Sequence, residues 1–129
     1  MTMKRGIIIM SESGNIIMTD NVANIWMSEP ELVALFGVIA PTLRASIKAV
    51  YKNGVQEKYE AQWYVRLENS YYADVFSFPM IVALAFRIGS LGAEQVRNAI
   101  LERLYLRKEK TSIFFSLVGN GSKTSNYKA

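Results

Sequence analysis

The chain has 129 residues, half of them hydrophobic and a fifth charged, with a net charge of +4 and neither cysteine nor histidine. That length supports one core without a metal or disulfide staple, and the composition is too apolar for a disordered chain. The missing residue types exclude disulfides, thiolate nucleophiles, Cys- or His-bound zinc and the commonest general base, so an enzyme would have to use carboxylate, Lys, Tyr or Ser chemistry.

In chain order, residues 6–10 form a largely β-branched run, Ser11-Glu12-Ser13-Gly14-Asn15 a turn cluster, and Ile16-Ile17-Met18 a second apolar run, which together predict a short hairpin. Asn24-Ile25-Trp26-Met27 predicts a third extended piece. Ser28 then caps a helix. Pro30 suits its first turn, Glu31 stands three residues on as in a capping box, and Leu32, Leu35 and Phe36 form an apolar face, with Val33 at its edge, until Gly37. A second helix starts near Pro41, carries Leu43, Ile47, Val50 and Tyr51 at i, i+4, i+7 and i+8, and stops at Asn53-Gly54. Beside that stripe Arg44, Lys48 and Lys52 follow i, i+4, i+8, with no acid between positions 42 and 55.

Residues 63–67 and 71–76 predict two strands joined by a turn at Glu68-Asn69-Ser70. Their aromatics, Trp63, Tyr64, Tyr71, Tyr72 and Phe76, are not interleaved with basic residues, so cross-strand pairs covering the core are expected rather than a base-stacking sheet. Phe78-Pro79 opens a helix that buries Ile81, Leu84, Ala85 and Ile88, and Gly89-Ser90 and Gly92 break it. The longest helix is expected from Ala93 to about Arg107, with Val96, Ile100, Leu101 and Leu104 facing inward. Arg87 and Arg97, inside apolar helices, are expected to pair with acids or to snorkel, and Arg87 could instead face a partner. Residues 113–118 read as a docked strand or short helix and 119–129 as a flexible polar tail, which leaves a single domain over 1–118.

Two short helices across a Gly turn, followed by a hairpin, is the order of a winged helix-turn-helix. The expected fold class is therefore α+β: a winged helix-turn-helix-like domain with an N-terminal β-hairpin and two C-terminal helices. In that architecture the second helix enters the major groove and the hairpin reaches the neighbouring backbone. Arg44, Lys48 and Lys52 would then neutralise phosphates, Thr42 and Ser46 would add hydrogen bonds, and Arg66 is the basic residue on the wing. On this reading the partner is duplex DNA; the alternative left open by the spacing is a common helix pair with a solvated basic face. The excess charge lies wholly in the second half: residues 1–60 hold six bases and six acids, and residues 61–129 hold nine and five.

Other chemistry finds little support. Glu29 and Glu31 complement a helix N-terminus, Glu57 and Glu60 lie in a polar loop, and no metal or cofactor site and no catalytic step are expected. Gly119-Asn120-Gly121-Ser122-Lys123 lacks the spacing of a phosphate loop. The apolar run at 7–10 is too short for a signal peptide and the longest one, at 78–86, too short for a membrane span, so a cytoplasmic protein without a membrane partner is expected.

Over residues 25–104 the chain also resembles the N-terminal domain of the virulence-associated RhuM family of bacterial proteins. The residues that carry the likeness are Trp26-Met27-Ser28, Glu31-Leu32, Leu35-Phe36-Gly37-Val38, Thr42-Leu43, Ile47-Lys48, Tyr72, the block Ile81-Val82-Ala83-Leu84-Ala85-Phe86-Arg87-Ile88, and Gln95-Val96-Arg97. The resemblance implies a DNA-binding, transcription-regulator-like domain of a bacterial mobile element. Where that family has polar and basic residues at the start of its recognition helix, this chain has Ile39, Ala40 and Pro41. Those side chains offer at most a thymine-methyl contact, so binding mainly through phosphates is expected. The alternative is a protein-interaction module that keeps the fold and has lost the DNA surface, with residues 113–118 as a homodimer patch.

Overall fold

In a computed structural model the backbone is described over residues 4–118 and the side chains over residues 4–105. The tail expected at 119–129 lies outside the described residues. The chain divides into two compact units, Met1–Arg97 and Asn98–Ala129.

The first unit is mixed α and β. Strands β1 (Ile9–Met10) and β2 (Ile16–Ile17) form the expected N-terminal hairpin, with Ile9 opposite Ile17. Just before it Gly6 makes a parallel bridge to Ile25, which lays the N-terminal segment beside the next strand. A 3-10 turn at Val22–Asn24 leads into β3 (Trp26–Ser28). With β4 (Gln62–Arg66) and β5 (Tyr72–Ser77), β3 forms an antiparallel sheet in the order β3-β5-β4. Met27 and Gln62 both oppose Phe76, and β5 buries Val75, Phe76 and Ser77 in succession, so this end of the strand is covered on both faces rather than on one.

Helix α1 (Glu29–Phe36) starts where the capping signal lies: the Ser28 N–H donates to Glu31 Oε1 at 2.9 Å. It ends at Gly37, whose φ of 67° is left-handed and suits a residue without a Cβ. Residues 37–39 connect it to α2 (Ala40–Lys52), and the pair is bent by 105°. Leu43, Ile47 and Val50 on α2 are buried beside Leu32, Leu35 and Phe36 of α1 in the unit's core. Glu57 and Glu60, expected in a polar loop, instead flank and join a one-turn helix, α3 (Lys58–Ala61), which buries Ala61 ahead of β4.

Helix α4 (Phe78–Ala85) is capped by Ser77, whose Oγ accepts the Met80 N–H at 3.4 Å, and it buries Met80, Ile81, Leu84 and Ala85. At its other end Arg97 makes no salt bridge among the described residues and turns instead to backbone carbonyls. Its Nη1 donates to the carbonyls of Ala85 at 2.7 Å and Ile88 at 3.0 Å, groups that the end of a helix leaves without partners. Helix α5 (Leu91–Val118) begins against the end of α1. Ser90 Oγ donates to the Phe36 carbonyl at 2.6 Å and accepts the Ala93 N–H at 3.0 Å, and a Cβ on Gly92 would stand 2.7 Å from the Phe36 carbonyl oxygen.

Helix α5 corrects three expectations. It runs 28 residues rather than ending near Arg107. Residues 113–118 continue it, and are neither a strand nor a separate helix; their side chains lie outside the described residues. Leu101 and Leu104, expected to face inward, are 51% and 59% exposed. The reason for the length is local: Lys108-Glu109-Lys110 breaks the apolar period but consists of strong helix formers, and neither Gly nor Pro occurs between Ala93 and Val118. Among the described residues no single helix is long and apolar enough to cross a membrane.

Candidate nucleic-acid interface

The buried stripe of α2 dictates what its other side presents. With Leu43, Ile47 and Val50 turned inward, Thr42, Arg44, Lys48 and Lys52 are exposed, and Ser46 is half-buried at the margin. Lys48 and Lys52 make no salt bridge among the described residues.

Arg44 departs from the expected free cationic ridge. Its Nε donates to Glu29 Oε2 at 2.7 Å and its Nη2 to Glu29 Oε1 at 3.0 Å, a bidentate pair across the bend between the two helices. The hydrogen bonds it donates to Glu29, and then the Glu29 charge, hold the guanidinium pKa above its ordinary value. The pair is solvent-exposed, so it adds little to stability. Its consequence is competitive: a phosphate must displace Glu29 to engage Arg44 fully. The sequence explained Glu29 by the α1 dipole alone, because an ion pair fifteen residues apart has no local signature.

Arg66 is also held. It sits opposite Tyr72 near the end of β4, half-buried, with Nη2 donating to Ser70 Oγ at 3.4 Å and Nε buried without a partner. The β4–β5 hairpin thus keeps Arg66 close to its own turn.

Arg5, which no local motif singles out, ties the N-terminal segment to β3, α1 and the β4–β5 turn. Its side chain is 3% exposed. Nη1 donates to Glu31 Oε1 and to the Trp26 carbonyl, both at 2.7 Å, while Nη2 donates to Glu31 Oε2 at 2.9 Å and Glu68 Oε1 at 3.1 Å. One guanidinium therefore joins the N-terminal segment, β3, the first turn of α1 and the β4–β5 turn. Burial pushes the Glu31 carboxyl up, but hydrogen bonds from Arg5 and Ser28 and the Arg5 charge outweigh it, and the net direction is down. Nothing in Lys4-Arg5-Gly6 points to partners so distant in the chain. A second tie comes from α2: Tyr51 Oη donates to Gln62 Oε1 at 2.8 Å, and burial, then the Asp74 charge, push the phenol up to about 12.

The hairpin aromatics correct another expectation. Phe76 is buried, but Trp63, Tyr64, Tyr71 and Tyr72 are more than half exposed and do not cover the core. Three of them stack instead: Trp63 on Trp26 with ring centroids 5.3 Å apart, and Tyr64 on Tyr72 at 5.6 Å. The residue types signalled pairing, whereas their exposure on both faces of the hairpin is a tertiary property.

A groove of about 270 Å³ beside β1 is lined mainly by Ile7, Ile9, Met10, Met27 and Leu35, with Glu31 as its charged group. Among the described residues no group of three or more Asp or Glu side chains is placed to hold a metal ion. No family model, curated protein or solved structure matches this chain, so the likeness to the RhuM family rests on the residues quoted for it.

Proposed function

We propose that the chain is a winged helix-turn-helix module, of the transcription-regulator-like kind its RhuM resemblance implies, that binds duplex DNA through backbone phosphates. Helix pairs of this type meet at roughly 90–120° across a three- or four-residue turn often containing Gly. The 105° bend at residues 37–39 is consistent with that geometry. The sheet order β3-β5-β4, with the helix pair between β3 and β4, supports reading the β4–β5 hairpin as the wing.

The observation that carries the reading is the pair Lys48 and Lys52, exposed and without salt bridges among the described residues, on the outer face of the second helix. Each ammonium that replaces a condensed counterion on a phosphate contributes to affinity without regard to sequence. Thr42 adds a hydroxyl donor at the start of the same helix, and Ser46 and Arg66 are secondary contacts. Arg44 joins when phosphate displaces Glu29.

The test is anisotropy on a random-sequence duplex across a salt series. The expected slope of log affinity against log salt is about −2 for Lys48 and Lys52 alone and about −3 with Arg44 engaged. A flat titration rejects DNA binding. It would favour the second reading, a protein-interaction module, for which Ile39, 67% exposed at the start of α2, is the specific observation.

A further inference from the structure

We propose that the exposed tyrosine face of the β4–β5 hairpin stacks unpaired DNA bases, beside phosphates held by Lys48 and Lys52. The proposal rests on the DNA reading for those two lysines and adds a second form of the ligand, a single strand.

The register fixes which side chains share this face. Tyr64 opposes Asp74 and Arg66 opposes Tyr72. Side chains alternate along a strand, so Gln62, Tyr64 and Arg66 lie with Tyr72 and Asp74 on one side of the hairpin. Tyr64 and Tyr72 are diagonal neighbours there and stack with their planes 23° apart. Each ring covers part of the other, yet they remain 70% and 58% exposed. Two rings already held against one another lose little freedom when a third stacks on them.

The same face adjoins the cationic side of α2. Tyr51 Oη donates to Gln62 Oε1 at 2.8 Å, and the Asp74 charge acts on that phenol. Tyr64 follows Gln62 by two residues, about 7 Å along the strand. On α2, Lys48 stands one turn before Tyr51 and Lys52 next to it, and both are exposed. Asp74 is the only acid in β4 and β5, and Glu68 in the turn between them is paired with Arg5.

Charge and aromatic character together select the occupant. A polyanion answers the lysines, and a flat π surface answers the tyrosines. Paired bases stack on one another and offer only their edges in the grooves, whereas the bases of a single strand can turn their faces to a ring. Such stacking is tolerant of sequence, because every base has a π face.

Anisotropy at low salt on a short labelled oligothymidylate, with the blunt random-sequence duplex as reference, tests the proposal. The wild-type chain is expected to bind both. The double variant Tyr64→Leu, Tyr72→Leu keeps apolar bulk and removes the π faces. It is expected to lose about a hundredfold on the strand, about tenfold for each ring, and to keep its affinity for the duplex, which also shows that it folds. Tyr64→Phe, Tyr72→Phe keeps the rings and is expected to bind the strand as wild type does. A Leu variant that binds the strand as tightly as wild type overturns the proposal, and so does an equal loss on strand and duplex. A wild-type chain that binds the duplex and not the strand also overturns it, and leaves the duplex reading standing. Binding of the strand alone upholds the stacking and removes the duplex; binding of neither rejects both. Tighter binding of oligouridylate than of oligothymidylate assigns the face to RNA and overturns the assignment to DNA.

Discussion

Glu29 acts as a brake on the proposed interface, because its carboxylate already occupies the fork that a phosphate would use. Replacing it by Gln removes the charge and keeps the shape. Glu29→Gln is expected to tighten duplex binding and steepen the salt slope by about one; an unchanged slope would show that Arg44 never leaves its own chain for DNA. Glu31 makes a different prediction. Its carboxyl is held below its ordinary value of 4.5, so its share of stability is present above that value and is lost as pH falls through the lower folded value. Denaturant melts at pH 7 and pH 3 are expected to differ less in Glu31→Gln than in wild type. Equal losses in the two proteins would remove Glu31 from the acid response.

At the scale of elements, most ends were legible because their signals are local. Ser28, Glu31 and Pro30 start α1, Gly37 stops it, Asn53-Gly54 stop α2, and Phe78-Pro79 open α4. Gly92 is the instructive exception. It reads as a helix breaker but lies in the first turn of α5, where Gly→Ala would ordinarily favour the helix by about 1 kcal/mol. Here the Cβ would meet the α1 carbonyl oxygens. Gly92→Ala is therefore expected to destabilise by roughly 1–3 kcal/mol in chemical denaturation. A stabilised variant would mean that α5 does not start so close to α1. The length of α5 was missed for the opposite reason: its central residues favour helix by propensity, but the periodicity argument weighs only apolar positions.

At the scale of the molecule, the two free lysines separate fold from function. Lys48→Glu, Lys52→Glu reverses two exposed charges that form no salt bridge among the described residues, so thermal stability is expected to change little while duplex affinity falls below detection. Retained binding would place the interface elsewhere. The α+β class, the order of the strands and of α1, α2 and α4, and the outward position of Lys48 and Lys52 were legible from sequence, because caps, turns and the helical period act over three to eight residues. Tertiary structure alone decided that Arg44 is tied to Glu29, that Arg5 joins four segments, and that Trp63, Tyr64, Tyr71 and Tyr72 face solvent. Each of these depends on groups brought together across a bend or a sheet. Such proximity is set by how the elements pack, and no local pattern of residues encodes it.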